Sequence, residues 1–116
     1  MLELKDFEEA KKRVDEVIIP TPLIYSPAFS KECRNVVYIK PENLQRTGAF
    51  KIRGAYNKIM KMDDESKSRG LIASSAGNHA QGVAYAAQQL GVKATIVMPA
   101  HTPLIKVDAT KALGAE

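Results

Sequence analysis

The 116 residues include a single cysteine, Cys33, and no tryptophan. One cysteine closes no internal disulfide and by itself makes no metal site. No apolar run approaches the roughly 20 residues that a membrane-spanning helix needs. The first residues, Met1-Leu2-Glu3-Leu4-Lys5-Asp6, lack the basic and apolar regions of a secretory signal, which points to the cytoplasm. The usual phosphate motifs are missing. There is no G-x-G-x-x-G and no glycine-rich loop ending in Lys-Ser/Thr, which argues against a Rossmann dinucleotide site or a P-loop. His79 and His101 have no other ligand-type residue at metal spacing beside them, so no metal is expected. No nucleophile elbow of a Ser/His/Asp enzyme is visible.

Charge of one sign is also not in large excess. Against 17 Lys+Arg stand 13 Asp+Glu, a net charge of +4. The lysines are scattered among acids and no basic run interleaves with aromatics, so a nucleic-acid partner is not expected. With 45% hydrophobic and 26% charged residues, the composition is that of a folded domain rather than a disordered chain.

The periodicity predicts a helix over residues 6–18, with Phe7, Ala10, Val14 and Val17 on one stripe and Asp6/Glu9 as a capping box. Pro20 and Pro22 end it. A loop through Asn35 and a buried strand at Val36-Val37-Tyr38-Ile39 are expected next. A second helix is predicted over residues 50–62, with Ile52, Ala55, Tyr56, Ile59 and Met60 inward. The polar run Asp63 to Arg69 reads as a linker. Beyond it, a strand at 71–73, a helix over 78–90 capped by Gly91, a strand at 94–98 and a helix started by Thr102 and Pro103 alternate with short connections. That alternation predicts a parallel sheet with crossover helices. Gly114-Ala115-Glu116 stand where a further strand should begin, so the chain is expected to belong to a longer polypeptide.

Two segments carry chemistry. In Lys40-Pro41-Glu42-Asn43-Leu44-Gln45-Arg46-Thr47-Gly48-Ala49-Phe50-Lys51-Ile52-Arg53-Gly54-Ala55, Lys51 falls in the first turn of a helix. The positive helix end and partial burial both disfavour an ammonium there, and only a neutral amine attacks a carbonyl. A surface lysine in a first helical turn is the simpler reading of that position by itself. In Ser74-Ser75-Ala76-Gly77-Asn78-His79-Ala80-Gln81-Gly82, free N–H groups at a helix start and small hydroxyls make a place for a carboxylate or phosphate. An ordinary serine N-cap is the alternative.

Taken together, the two segments resemble the threonine dehydratases, of the tryptophan-synthase-β-like (fold type II) group of pyridoxal-phosphate enzymes. Thr21-Pro22-Leu23 upstream and Met98-Pro99, Thr102-Pro103, Lys106-Val107, Ala109-Thr110 and Gly114-Ala115-Glu116 downstream share in the resemblance, which covers nearly the whole chain. It implies an α/β architecture of three-layer parallel-sheet domains, only the N-terminal part of which is present. Residues 1–64 would belong to the larger, cofactor domain and 68–116 to most of a smaller, mobile one, with the active site in the cleft between. It implies pyridoxal 5′-phosphate as cofactor and dehydration of L-threonine, with L-serine as second substrate, to a 2-oxo acid and ammonia. A cytoplasmic homo-oligomer, dimer or tetramer, serving isoleucine biosynthesis, is the accompanying expectation.

By the same resemblance, Lys51 bonds covalently to the cofactor and later moves protons, and Phe50 packs on the pyridine ring. Asn78 hydrogen-bonds the phenolic oxygen. Ser75, Gly77, Asn78 and His79 grip the substrate carboxylate. Plain core packing remains an alternative for Phe50. The related serine racemases carry a serine where this chain has Ala76, and a methyl group can neither donate nor accept a proton, which favours elimination over racemisation. Ala49 replaces a serine common among relatives, and the family's glycine-rich phosphate loop does not occur in these residues. A non-catalytic fragment with at most an anion-binding loop is therefore the alternative reading.

Overall fold

A computed structural model describes all residues, Met1–Glu116. The chain begins with α1 (Leu4–Val14), and its start differs from expectation. Glu3 and Asp6 form the reciprocal capping box, because the chain turns helical one residue after Glu3 and Asp6 can then reach back to its amide. Val14 and Val17 are buried as expected, but Phe7 on the same stripe is 60% exposed.

The stretch to Ile39 departs most from the sequence reading. It holds β1 (Ile24–Tyr25), α2 (Pro27–Cys33) and β2 (Tyr38–Ile39). α2 lies where a loop was expected. Ser26 caps it through its hydroxyl, Pro27 opens it, and Arg34 closes it in the left-handed conformation. β2 is not a buried strand. It pairs antiparallel with β1, both strands are exposed, and Tyr25 packs edge-on against Tyr38 at 5.7 Å between ring centroids.

Two 3₁₀ turns, Glu42–Leu44 and Arg46–Gly48, lead into α3 (Lys51–Met60). The polar run folds as the short helix α4 (Asp64–Ser68), capped by Asp63. Then come β3 (Leu71–Ser74), α5 (Asn78–Gln89), β4 (Ala94–Val97) and α6 (Leu104–Lys111). Thr102 does not cap α6. Its hydroxyl turns back to the Pro99 carbonyl and Pro103 takes the cap position.

β3 and β4 pair in parallel, Leu71 opposite Ala94 through Ser74 opposite Val97, with α5 as the crossover. Glu116 extends the sheet beyond β4: its N–H donates to the Ala94 carbonyl at 2.9 Å and its carbonyl accepts from Ile96 N–H at 2.7 Å. Only one face of this sheet is covered. Ile72, on the other face, is 81% exposed.

The core is built where α3 crosses α5. Ile52, Ala55, Tyr56 and Ile59 of α3 meet Val83 and Ala86 of α5, with Val14 and Val17 closing the cluster from α1. The alanines of α5 (Ala84, Ala87) pack with Ala94 and Ala115 in a second cluster. Small side chains let this helix lie close to both neighbours. Residues on both sides of the polar run thus share one core. Ile52 is fully buried at its centre. Ile52→Ala is expected to lower the unfolding free energy by about 2–5 kcal/mol, the usual effect of a cavity at a site that cannot collapse. Urea unfolding of the two proteins measures it; a loss under about 1 kcal/mol would mean the α3–α5 seam is plastic.

Candidate active site

Lys51 is the first residue of α3 and Phe50 caps it. Both side chains stand at the surface. The burial expected for Lys51 is absent, and its Nζ lies 5.0 Å from the Phe50 ring centroid, within cation–π range. Phe50 is 56% exposed, so core packing does not explain it. Its ring remains available to a ligand.

What fixes this helix start is the approach of α5. A Cβ placed on Gly82 would stand 3.2 Å from Ile52 N and 3.3 Å from Lys51 Cβ. Glycine within a helix costs about 1 kcal/mol relative to alanine, and here it allows two backbones to touch. Asn78 lies four residues earlier on the same face of α5, about 6 Å along the axis. The backbone at Lys51 thus lies against α5 one helical turn from Asn78.

The turn before α5 presents the rest. Ser75 N–H is held by the Val97 carbonyl at 3.0 Å, and Ser75 Oγ accepts the Gly77 N–H at 3.3 Å. The amides of Asn78, His79 and Ala80 have no partner within the chain. They form the open, positive end of a helix of 12 residues, suited to a carboxylate or phosphate. Ser75, Gly77, Asn78 and His79 fall within this one five-residue turn. The His79 side chain also lines a cavity of about 340 Å³ with Gly54 and Lys58 of α3, while Lys51 lies outside that cavity.

Several features near Lys51 escaped the sequence reading. Thr47 is left-handed at φ 62°, followed by Gly48 at φ 68°. A β-branched residue in that region costs of order 1–3 kcal/mol, and strain of this kind gathers at functional sites. The Thr47 hydroxyl is buried without a partner. Gln45 is buried and hydrogen-bonds both polar groups of the Ile19 backbone at 2.8 Å, as a neighbouring strand would. Glu42 pairs with Arg53. Side-chain polarity gave no sign of which partners these residues would find across 11 to 26 positions of chain. Gly82 inside an alanine-rich helix was the one readable hint.

Compared with known proteins, residues 14–116 match the family described as pyridoxal-phosphate dependent enzyme, and the chain belongs to that family. Among its relatives, the L-threonine ammonia-lyase of Thermotoga maritima is 52% identical over 116 residues, which is 100% of this chain and 29% of the relative. The L-threonine dehydratase catabolic TdcB of Staphylococcus aureus is 51% identical over 117 residues, covering 100% of this chain and 34% of the relative. The chain thus spans about a third of the length of these curated relatives. The serine racemase of Dictyostelium discoideum superposes with a TM-score of 0.93 at 39% identity, over 98% of this chain and 37% of that one. The processed form of threonine deaminase isoform 2 from Solanum lycopersicum gives 0.84 at 41% identity, over 98% and 33%. The α/β architecture of fold type II is that of these neighbours. No helix is long and apolar enough to cross a membrane.

Two outcomes are expected here. Thr47→Val keeps the shape and removes the orphan hydroxyl, so stability should rise by about 1 kcal/mol; an unchanged or lower denaturation midpoint would mean the hydroxyl is satisfied. The Glu42 carboxyl is held down at about 2, from an ordinary 4.5, chiefly by the hydrogen bond from Arg53, with the Thr21 hydroxyl and the charges of Arg53 and Lys40 assisting against burial. A depressed carboxyl pKa stabilises the fold above the unfolded value, and the gain is lost as pH falls through the folded one. Urea midpoints of wild type and Glu42→Gln should therefore differ most above pH 4.5 and converge as pH approaches 2.

Proposed function

We propose that this chain carries the lysine-bearing part of an ammonia-lyase that converts L-threonine to 2-oxobutanoate and ammonia, with L-serine giving pyruvate. The observation that carries the reading is the contact of Gly82 with the start of α3. It packs the lysine-bearing start of α3 against α5, one turn from the open N-terminus of that helix. The residues present fit the reactive end of pyridoxal phosphate. Lys51 offers the amine, the exposed Phe50 ring a partner for the pyridine, and the unbonded Asn78 side chain a donor for the phenolic oxygen.

Pyridoxal phosphate, when bound, supplies an aldehyde for covalent attachment to an amine and a conjugated ring that takes up the electron pair left at Cα. The chain supplies the remainder. The Ser75–His79 turn takes the substrate carboxylate on its free amides, which orients the Cα–H bond. Lys51 Nζ accepts the Cα proton. Loss of that proton and of the Cβ hydroxyl removes one water. Hydrolysis then returns one water and releases ammonia.

Ala76 supports elimination over racemisation, because its methyl group cannot deliver a proton to the second face of Cα. The backbone likeness to a serine racemase makes that reaction the alternative to exclude by assay. On this reading residues 1–64 belong to the cofactor domain and 68–116 to a smaller mobile one, with the α3–α5 seam as their joint. A cytoplasmic dimer or tetramer belongs to the same reading. The staphylococcal relative is named a catabolic enzyme, which favours threonine breakdown over the isoleucine-biosynthetic placement expected from the resemblance.

Lys51→Ala should lower 2-oxobutanoate formation from threonine by about a thousandfold or more, as loss of a covalent nucleophile does. Borohydride reduction with pyridoxal phosphate should add one cofactor mass at Lys51 in the wild type and none in the variant. Retained turnover, or D-serine as main product from L-serine, would overturn the proposal.

A further inference from the structure

The proposed chemistry leaves five polar residues around the lysine without a part: Thr21, Lys40, Glu42, Gln45 and Arg53. Three of them, Arg53, Thr21 and Lys40, converge on the carboxylate of Glu42. Arg53, two residues beyond Lys51 on α3, donates from Nε to Glu42 Oε2 at 2.9 Å and from Nη2 to Oε1 at 2.7 Å, a forked pair that takes both oxygens. The buried Thr21 hydroxyl donates to Oε1 as well. Lys40 Nζ lies 3.9 Å from Oε1 and donates to the Thr21 carbonyl at 2.5 Å. The pair is largely enclosed, with 17% of the Glu42 side chain and 28% of Arg53 exposed. Gln45 ties the same loop to Ile19.

Residues two apart on a helix project to nearly opposite sides. The first turn of α3 is therefore gripped on the Lys51 side by Gly82 of α5 and on the Arg53 side by Glu42. Between the two grips run Thr47 and Gly48, both left-handed, with Gly48 N–H on the Gln45 carbonyl at 2.8 Å. Such a conformation persists only where its surroundings over-determine it. If it relaxes, the direction in which Phe50 and Lys51 enter the helix changes.

We infer that Glu42 is a positioning residue for Lys51, fixing the first turn of α3 through Arg53 and holding the left-handed turn that precedes the lysine. The inference rests on the role proposed for Lys51; Glu42 itself touches no substrate. A glutamine offers one acceptor oxygen to the fork and no charge. An aspartate keeps both oxygens and the charge on a shorter arm.

The test compares wild type, Glu42→Gln, Glu42→Asp and a control, Asn57→Ala, at neutral pH well below unfolding. Asn57 Oδ1 accepts from Arg13 Nε at 2.7 Å and stitches α1 to the far half of α3, so its loss weakens the fold without touching the loop. Two readouts are taken: amide hydrogen exchange, and the share of borohydride-trapped pyridoxal phosphate found on Lys51 rather than on other lysines. In Glu42→Gln, the amides of Gly48 and Arg53 should exchange about tenfold faster, and the Lys51 share should fall by a similar factor. Glu42→Asp should recover part of both, and Asn57→Ala should move neither. Unchanged exchange and labelling in folded Glu42→Gln, or equal losses in Asn57→Ala, would overturn the inference. Unselective labelling of the wild type would overturn the proposed chemistry and the positioning role with it; faster loop exchange would then mark only a contact of the fold. Should Glu42→Gln fail to fold, Arg53→Lys breaks the fork while keeping the charge, and carries the same expectations.

Discussion

The structure depends on the close passage of α5 across the start of α3. A glycine at position 82 brings two backbones within van der Waals reach at Lys51 and Ile52. The same passage buries Ile52, Ala55, Tyr56 and Ile59 against Val83 and Ala86, so the main apolar cluster and the candidate site share one seam. Burial of the aliphatic side chains stabilises the crossing, and the crossing sets where the lysine stands relative to the free amides of α5. Any larger side chain at position 82 would have to push backbone rather than a flexible side-chain end.

Around that seam, polar groups do what apolar packing cannot. Burial is non-directional, and by itself would leave the loop over residues 42–50 free to settle in many ways. Hydrogen bonds from Gln45 to the Ile19 backbone and the forked Glu42–Arg53 pair select one of them. A buried ion pair of this kind gives little net stability against an apolar substitute, but it is costly to half-remove and it is geometrically strict. That strictness can sustain a left-handed Thr47 next to the lysine.

Membership of the pyridoxal-phosphate dependent family and the geometry lead to one another. A primary amine beside an exposed ring, on a helix start packed against α5 one turn from that helix's unbonded amides, suits a carbonyl cofactor whose substrates carry a carboxylate. Likeness in backbone does not separate the lyases from the racemases, since a racemase and threonine deaminases superpose on this chain alike.

Much of this was legible in the sequence where a period or a strong local rule applied. The stripe of α3 and the small-residue face of α5 follow from helical periodicity, and strands β3 and β4 from short apolar runs with turn residues at their ends, although β4, expected to be buried, exposes Thr95 and Val97. The places of Lys51 at a helix start and of Ser75–His79 at a strand-to-helix turn were legible too. Short elements were not. α2 and the exposed β1–β2 ribbon carry too few residues for a period, and their form is fixed by a cap, a proline and a pair of tyrosines meeting in space. Nor could the sequence decide that Lys51 is open to solvent, that Thr47 is strained, or that Glu42 and Gln45 reach across the chain. Apolar order along a chain determines which faces must be covered, because hydration is a local property of each residue. Which polar atoms meet is decided only when distant segments are already in place, because a hydrogen bond needs both partners within about 3 Å.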